Sequence, residues 1–194
     1  MNRAADVALA SVGLAVASPV LAAAALAIKL EDGGPVLYRQ QRVGKDGRAF
    51  EVLKLRSMVV GAERQGAGLA VNRGDSRITR VGRVLRRTSI DELPQLWNVV
   101  RGDMSVVGPR PTLRYQVDRY DERQRRRLEV RPGLTGWAQV NGRAALPWAD
   151  RIELDVWYVE HRSPIVDLKI LIRTPLALFG GTYKGAGGGW RADE

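Results

Sequence analysis

The chain has no cysteine and a single histidine, His161. Those absences remove disulfides, thiolate nucleophiles and Cys/His zinc sites, and leave no Ser-His triad except one built on His161. His161 follows Trp157-Tyr158-Val159-Glu160 and precedes Ser163-Pro164, the position of a helix C-terminal residue, where an imidazole suits the helix dipole. The chemistry is therefore restricted to carboxylates, lysine, arginine and hydroxyls. Acidic residues are the minority: 31 Lys and Arg against 21 Asp and Glu give a net charge of +10. Such a chain is drawn to anionic lipid head groups or phosphate-bearing substrates. Nucleic acid is set aside as a partner. The sequence has no helix-turn-helix pattern, RNA-binding aromatic signature or zinc finger, and its apolar N-terminal segment is an odd companion for duplex binding.

That segment carries no charged side chain over the 22 residues from Val7 to Ile28. As a helix it would be ~33 Å long, about the thickness of a bilayer's hydrocarbon layer. Ser18-Pro19 interrupts it near the middle, and a proline inside a helix lacks an N–H donor and clashes with the carbonyl four residues back. Basic residues stand at both ends, Arg3 on one side and Lys29, Arg39, Arg42 and Lys45 on the other, which favours placing both ends in the cytoplasm. Together these features predict a re-entrant anchor. Two half-helices of ~17 Å would dip into one leaflet and return, with the Ser18 hydroxyl serving backbone groups that Pro19 leaves unpaired. Three readings compete: a cleaved signal peptide, a plain spanning helix and a buried helix of a soluble core. The first is opposed by Ala-rich sequence running straight into Lys29-Leu30-Glu31, and the third by length and the scarcity of polar positions.

Composition divides the 194 residues into an anchor over 1–32, one folded domain over 33–179 and a glycine-rich tail over 180–194 expected to be flexible. The pattern predicts a hairpin, Val36 to Gly44 and Phe50 to Leu55 around Lys45-Asp46-Gly47, then a mobile, lid-like tract from Gly61 to Asp75. Helices are expected over Arg80–Arg87, Glu92–Val100, Leu113–Leu128, Asp150–His161 and Ile165–Phe179. The arginines of the Leu113–Leu128 segment read as solvated or lipid-facing charge, and the apolar stripe of the last helix suits packing or the membrane interface. The glycines of 133–142 permit close backbone approach to a ligand. The fold class is thus mixed α/β and helix-rich: a re-entrant helix-break-helix, a small hairpin and amphipathic interfacial helices.

Ser89-Ile90-Asp91-Glu92 has the form of a capping box, and Pro94 allows Asp91 itself to be the cap. Either way two adjacent carboxylates stand at a helix N-terminus. Capping alone would explain them, but a helix N-terminus also suits phosphate and would keep Asp91 ionised as a nucleophile. Paired carboxylates suit Mg²⁺, which takes oxygen ligands and commonly bridges carboxylates to substrate phosphates. A diphosphate would need cations, and Lys54 on the hairpin, Arg110 in the Pro-Arg-Pro turn and Arg143 after the glycine-rich stretch are the candidates.

Several blocks of the chain, in order, resemble the bacterial sugar transferases, the monotopic phosphoglycosyl transferases. The blocks are Gly34 to Gly44, Lys54-Leu55-Arg56-Ser57-Met58, Ser89 to Asn98, Met104 to Pro111, Pro132 to Arg143 and Glu153-Leu154-Asp155. The resemblance implies transfer of a sugar 1-phosphate from a UDP-sugar donor to an undecaprenyl phosphate acceptor with release of UMP. Asp91 would be the nucleophile and form an aspartyl phosphosugar. Glu92 would help hold Mg²⁺ or accept a proton. Arg110 would bind phosphate, Lys54 and Asp155 would complete the polar site, and Ser18-Pro19 would match the re-entrant break. It also implies a monotopic protein of the bacterial inner membrane with its catalytic domain facing the cytoplasm. A homodimer is compatible with it. A non-catalytic, phospholipid-binding scaffold using the same basic face is the alternative from a different class.

Overall fold

A computed structural model describes residues 1–65, 74–142 and 146–179. The chain begins with one long helix, α1 (Arg3–Asp32). Among the described residues it alone is long and apolar enough to cross a membrane. It runs through Ser18-Pro19 as a single 30-residue helix, so the expected division into two half-helices is not seen. The reason is local. Pro19 has no N–H to offer the Ala15 carbonyl, and the Ser18 hydroxyl donates to that same oxygen at 2.8 Å.

One stripe of α1 packs on the rest of the protein. Ala10 and Leu14 meet Leu96, Val99 and Met104, and further along Leu21, Ala24 and Ile28 meet Leu55, Leu85 and Ile90. Both ends are also bonded to that domain. Arg3 donates to the carbonyls of Val99 and Val100 at 2.5 and 2.6 Å, while buried Asp6 accepts from the Ser105 hydroxyl and the Val106 N–H. At the other end Glu31 accepts from the Arg80 N–H at 2.7 Å and Asp32 pairs with Arg56. The opposite stripe, with Leu9, Val12, Val16, Leu26 and Leu30, is exposed.

The predicted hairpin is present as β1 (Leu37–Val43) and β2 (Ala49–Leu55), antiparallel, with Tyr38 opposite Lys54 and Arg42 opposite Phe50. Two helices follow, α2 (Arg80–Thr88) and α3 (Gln95–Arg101). Buried Asn98 of α3 bolts the hairpin down: its side-chain oxygen accepts from the Leu53 N–H at 3.0 Å and its amide donates to the Glu51 carbonyl at 2.6 Å. Ser57 to Gln65 is tied to the start of α2 by Arg77, which pairs with Asp75 and donates to the carbonyls of Ala62 and Gln65 at 2.8 Å each. Most of the expected lid, 66–73, lies outside the described residues, as do Arg143 and the 180–194 tail.

A second, parallel pair joins β3 (Ser105–Val107) to β4 (Gly133–Thr135). Here the glycines serve a purpose other than ligand approach. A Cβ on Gly133 would lie 2.1 Å from the Gly108 nitrogen, and one on Gly136 would lie 2.1 Å from the Gly108 oxygen. The backbones of the two loops touch, and only glycine lets them.

The expected helix over Leu113–Leu128 is two short ones, α4 (Arg114–Val117) and α5 (Glu122–Arg125), followed by a 3₁₀ turn. Asp121 divides them by starting a new helix: its side chain accepts from the Gln124 N–H, and the Gln124 side chain accepts from the Asp121 N–H. After the short α6 (Trp137–Val140), α7 (Trp148–His161) and α8 (Pro164–Phe179) close the domain, as the sequence predicts. His161 lies in the last turn of α7, stacked on Trp157. On α8, Ile170 is buried, whereas Ile165, Leu168, Ile172 and Leu176 form an exposed apolar face.

Candidate active site

Asp91 and Glu92 sit between α2 and α3, in a 3₁₀ turn over Ile90–Glu92 rather than in the first turn of a long helix. Ser89 enters that turn at φ +59° and its side chain makes no capping bond, so the sequence's capping-box form is not used. Chain reversal at Ser89 presses the turn onto β2 and buries Asp91 to 5% exposure.

The two carboxylates face different surroundings. Glu92 is gripped by cations: Lys54 Nζ lies 2.9 Å from Oε1, and Arg110 reaches Oε1 and Oε2 through Nη2 and Nη1 at 2.5 and 3.2 Å. The bidentate Arg110 contact and Lys54 hold Glu92 well below the usual carboxylate range despite burial. Asp91 Oδ1 is buried and has no hydrogen-bond partner. Desolvation and the neighbouring Glu92 charge push Asp91 up to about 6, against the pull of Lys54, Arg86 and Arg110. Burial thus moves Asp91 in the direction opposite to that expected of a helix N-terminus, although at about 6 the group is still mostly ionised at neutral pH. Lys54 is lowered by the same burial, with Glu92 opposing.

Arg110 is held from behind. Arg127 Nη2 donates to the Arg110 carbonyl at 2.9 Å, pairs with Asp155 Oδ2 at 2.5 Å, and through Nη1 meets the Tyr120 hydroxyl at 2.5 Å. Asp155 is 2% exposed, and burial raises it to about 6 in spite of Arg127. It therefore stands behind the Arg110 loop rather than on the open side of the site. Of the residues singled out from sequence, Lys54, Asp91, Glu92 and Arg110 come together, Asp155 joins through Arg127, and Arg143 falls outside the described residues.

Three further residues were not singled out. Arg127 was grouped with a solvated arginine run, yet it is buried. Asn98 lies on the α3 face turned to β2, a spacing that an amphipathic reading from Asp91 onward could have exposed. Arg42 shares the alternation of Tyr38 and Gln40, which places it on the same side of the hairpin as Lys54.

Residues 1–181 match the model of the bacterial sugar transferase family. The chain belongs to that family. It is 49% identical over 182 residues to the UDP-glucose:undecaprenyl-phosphate glucose-1-phosphate transferase of Caulobacter vibrioides, covering 89% of this chain and 67% of that protein. With the UDP-N-acetylgalactosamine-undecaprenyl-phosphate N-acetylgalactosaminephosphotransferase of Aeromonas hydrophila it shares 44% identity over 189 residues, 93% of this chain and 44% of the relative. Sugar transferase EpsL of Bacillus subtilis is 48% identical over 147 residues, 76% of this chain and 71% of that protein. The chain thus spans from under half to about seven tenths of the length of these relatives.

Proposed function

We propose that this sugar transferase moves a sugar 1-phosphate from a UDP-sugar to a polyprenyl phosphate, undecaprenyl phosphate by the names of its relatives, through a covalent intermediate on Asp91. One observation carries the reading: a buried carboxylate with an unpartnered oxygen lies beside a carboxylate that fixes a lysine and an arginine. Ionised Asp91 attacks the sugar-bearing phosphorus, an Asp91–phosphorus bond forms, the bond to the second phosphate breaks and UMP leaves. An oxygen of the lipid phosphate then attacks the same phosphorus and frees Asp91, giving a polyprenyl diphosphate sugar. Dividing the transfer in this way lets the soluble donor and the lipid acceptor react in turn. Lys54 and Arg110 oppose the charge carried by the phosphoryl oxygens.

The donor set fits magnesium. Mg²⁺ needs only one or two carboxylates beside substrate phosphates and water, and Asp91 Oδ1 is free for a cation. Asp91 would hold it, with Glu92 joining where Arg110 turns to substrate. When bound, the ion supplies positive charge against the diphosphate.

The protein works at a membrane in this reading. Support comes from the exposed stripe of α1, the apolar face of α8 and the attachment of both ends of α1 to one domain, an arrangement that suits a monotopic anchor with both ends on the cytoplasmic side. The test is to incubate the detergent-solubilised protein with a UDP-sugar alone. The expected result is a burst of UMP and a phosphosugar mass on the peptide containing Asp91, both lost in Asp91→Asn. Normal turnover by Asp91→Asn, or liposome binding with no sugar nucleotide consumed, would reject the assignment.

A further inference from the structure

The cations fixed on Glu92 are not the only ones on this face. Tyr38, Gln40 and Arg42 alternate along β1 and share the side of the hairpin that carries Lys54. At the end of β1, the Val43 N–H bonds the Thr112 carbonyl at 2.9 Å, which ties the strand to the loop bearing Arg110. Arg42 thereby stands beside a second guanidinium.

Its own partners are all neutral. Nε and Nη2 donate to the Gln40 side-chain oxygen at 3.0 and 2.5 Å, and Nη1 to the Pro111 carbonyl at 3.4 Å. Among the described residues no carboxylate forms an ion pair with Arg42. Burial and the charge of Arg110 push the guanidinium down to about 10, still fully protonated at neutral pH. A half-buried cation crowded by another cation is a cost to the fold, and an anion would remove it. Gln40 fixes the orientation of the fork and is itself held by Glu63, to which its amide donates at 3.3 Å.

We propose that Arg42 binds the phosphate that leaves with the nucleotide, as a donor-binding residue separate from those around the attacked phosphorus. Arg42 interacts with the charges of Arg110 and Glu92, whereas the cations acting most strongly on Asp91 are Lys54, Arg86 and Arg110. In the structure Lys54 and Arg110 contact Glu92 directly, whereas Arg42 shares their face and bonds the Pro111 carbonyl, one residue beyond Arg110, so it flanks that cluster instead of joining it. Its planar fork suits two phosphate oxygens at once. The assignment rests on the phosphoglycosyl transfer reading above.

The test uses UMP as the probe, titrated against the full chain in detergent by calorimetry. Arg42→Lys keeps the charge without the fork, Arg42→Gln keeps a hydrogen-bonding side chain without the charge, and Arg39→Gln alters an arginine on the opposite face of the strand. Circular dichroism and thermal unfolding verify that each is folded. UMP affinity is expected to fall tenfold or more in Arg42→Gln, to recover in part in Arg42→Lys and to stay unchanged in Arg39→Gln. UMP binding by Arg42→Gln as tight as in the unaltered chain would overturn the assignment, as would a lysine variant no better than the glutamine one. An unaltered chain that binds no UMP and releases none from a UDP-sugar would overturn the transfer reading as well.

Discussion

The raised Asp91 makes a prediction with two readouts. A shift from 3.8 to about 6 corresponds to roughly 3 kcal/mol in favour of the neutral acid. In the proposed mechanism attack requires the carboxylate, so kcat/KM for UMP release, which reports groups of the free enzyme, is expected to fall below about pH 6, tenfold for each further pH unit. Asp155 is also raised to about 6, so Asp155→Asn is the control and leaves the limb in place. Glu92→Gln removes the negative neighbour and releases Lys54 and Arg110 towards Asp91, and should move the limb to lower pH. The same shift predicts stability with a definite sign. The ionised side chain costs the fold above about pH 6, and the cost is gone below about pH 4, where folded and unfolded chains are both protonated. Asp91→Asn is therefore expected to be more stable by up to about 3 kcal/mol at pH 7.5, a rise in Tm of several degrees, and to lose that advantage at pH 4. A profile flat to pH 4.5 together with an unchanged Tm in Asp91→Asn would refute the reasoning.

Asn98→Ala removes the side-chain partners of a partly buried N–H and a partly buried carbonyl on β2. At about 1–3 kcal/mol for each orphaned group, a loss of about 3 kcal/mol is expected, seen as a fall in Tm of roughly 6–12 °C by tryptophan emission. A fall of under about 2 °C would show that the bolt is dispensable. On α8, replacing Leu168 and Leu176 by glutamate puts charge on the apolar face. If that face meets the bilayer, the donor-only UMP burst stays intact while transfer to polyprenyl phosphate in liposomes drops at least tenfold; equal effects on both steps would argue against an interfacial role.

The hairpin, α2, α7 and α8 could be read from the sequence because each has a local signal: alternation and a Lys-Asp-Gly turn, or an apolar period closed by Ser163-Pro164. The carboxylate pair was legible too, through its motif and its neighbours. What misled was long-range. Asp91-Glu92 looks like a helix cap, but burial against β2 and the left-handed Ser89 make a 3₁₀ turn instead. Arg127 looks like one of five surface arginines until Asp121 restarts the helix and turns it inward onto Asp155. Gly133 and Gly136 suggest a ligand loop, whereas the backbone they admit is that of Gly108, 25 and 28 residues earlier in the chain. Pro19 signals a break, and the Ser18 hydroxyl does take up the carbonyl Pro19 leaves unpaired, as its position suggested, but it does so inside one continuous helix.

The two adjacent carboxylates illustrate how one turn assigns unlike roles to like groups. Neighbours in a 3₁₀ turn point roughly 120° apart, so Glu92 meets Lys54 and Arg110 while Asp91 turns into the protein. Two cations make Glu92 the residue that loses its proton first, and its charge then helps keep the proton on Asp91. A carboxylate so strongly stabilised is a poor proton acceptor, which weighs against Glu92 as the general base for the lipid acceptor. It is better suited to hold Lys54 and Arg110 in place before the donor arrives. Asp91, desolvated and with one oxygen unbonded, has the least competing stabilisation when it ionises, and a nucleophile aimed at phosphorus needs that property. Within the proposed mechanism, the pairing gives placement of the cations to Glu92 and bond formation to Asp91.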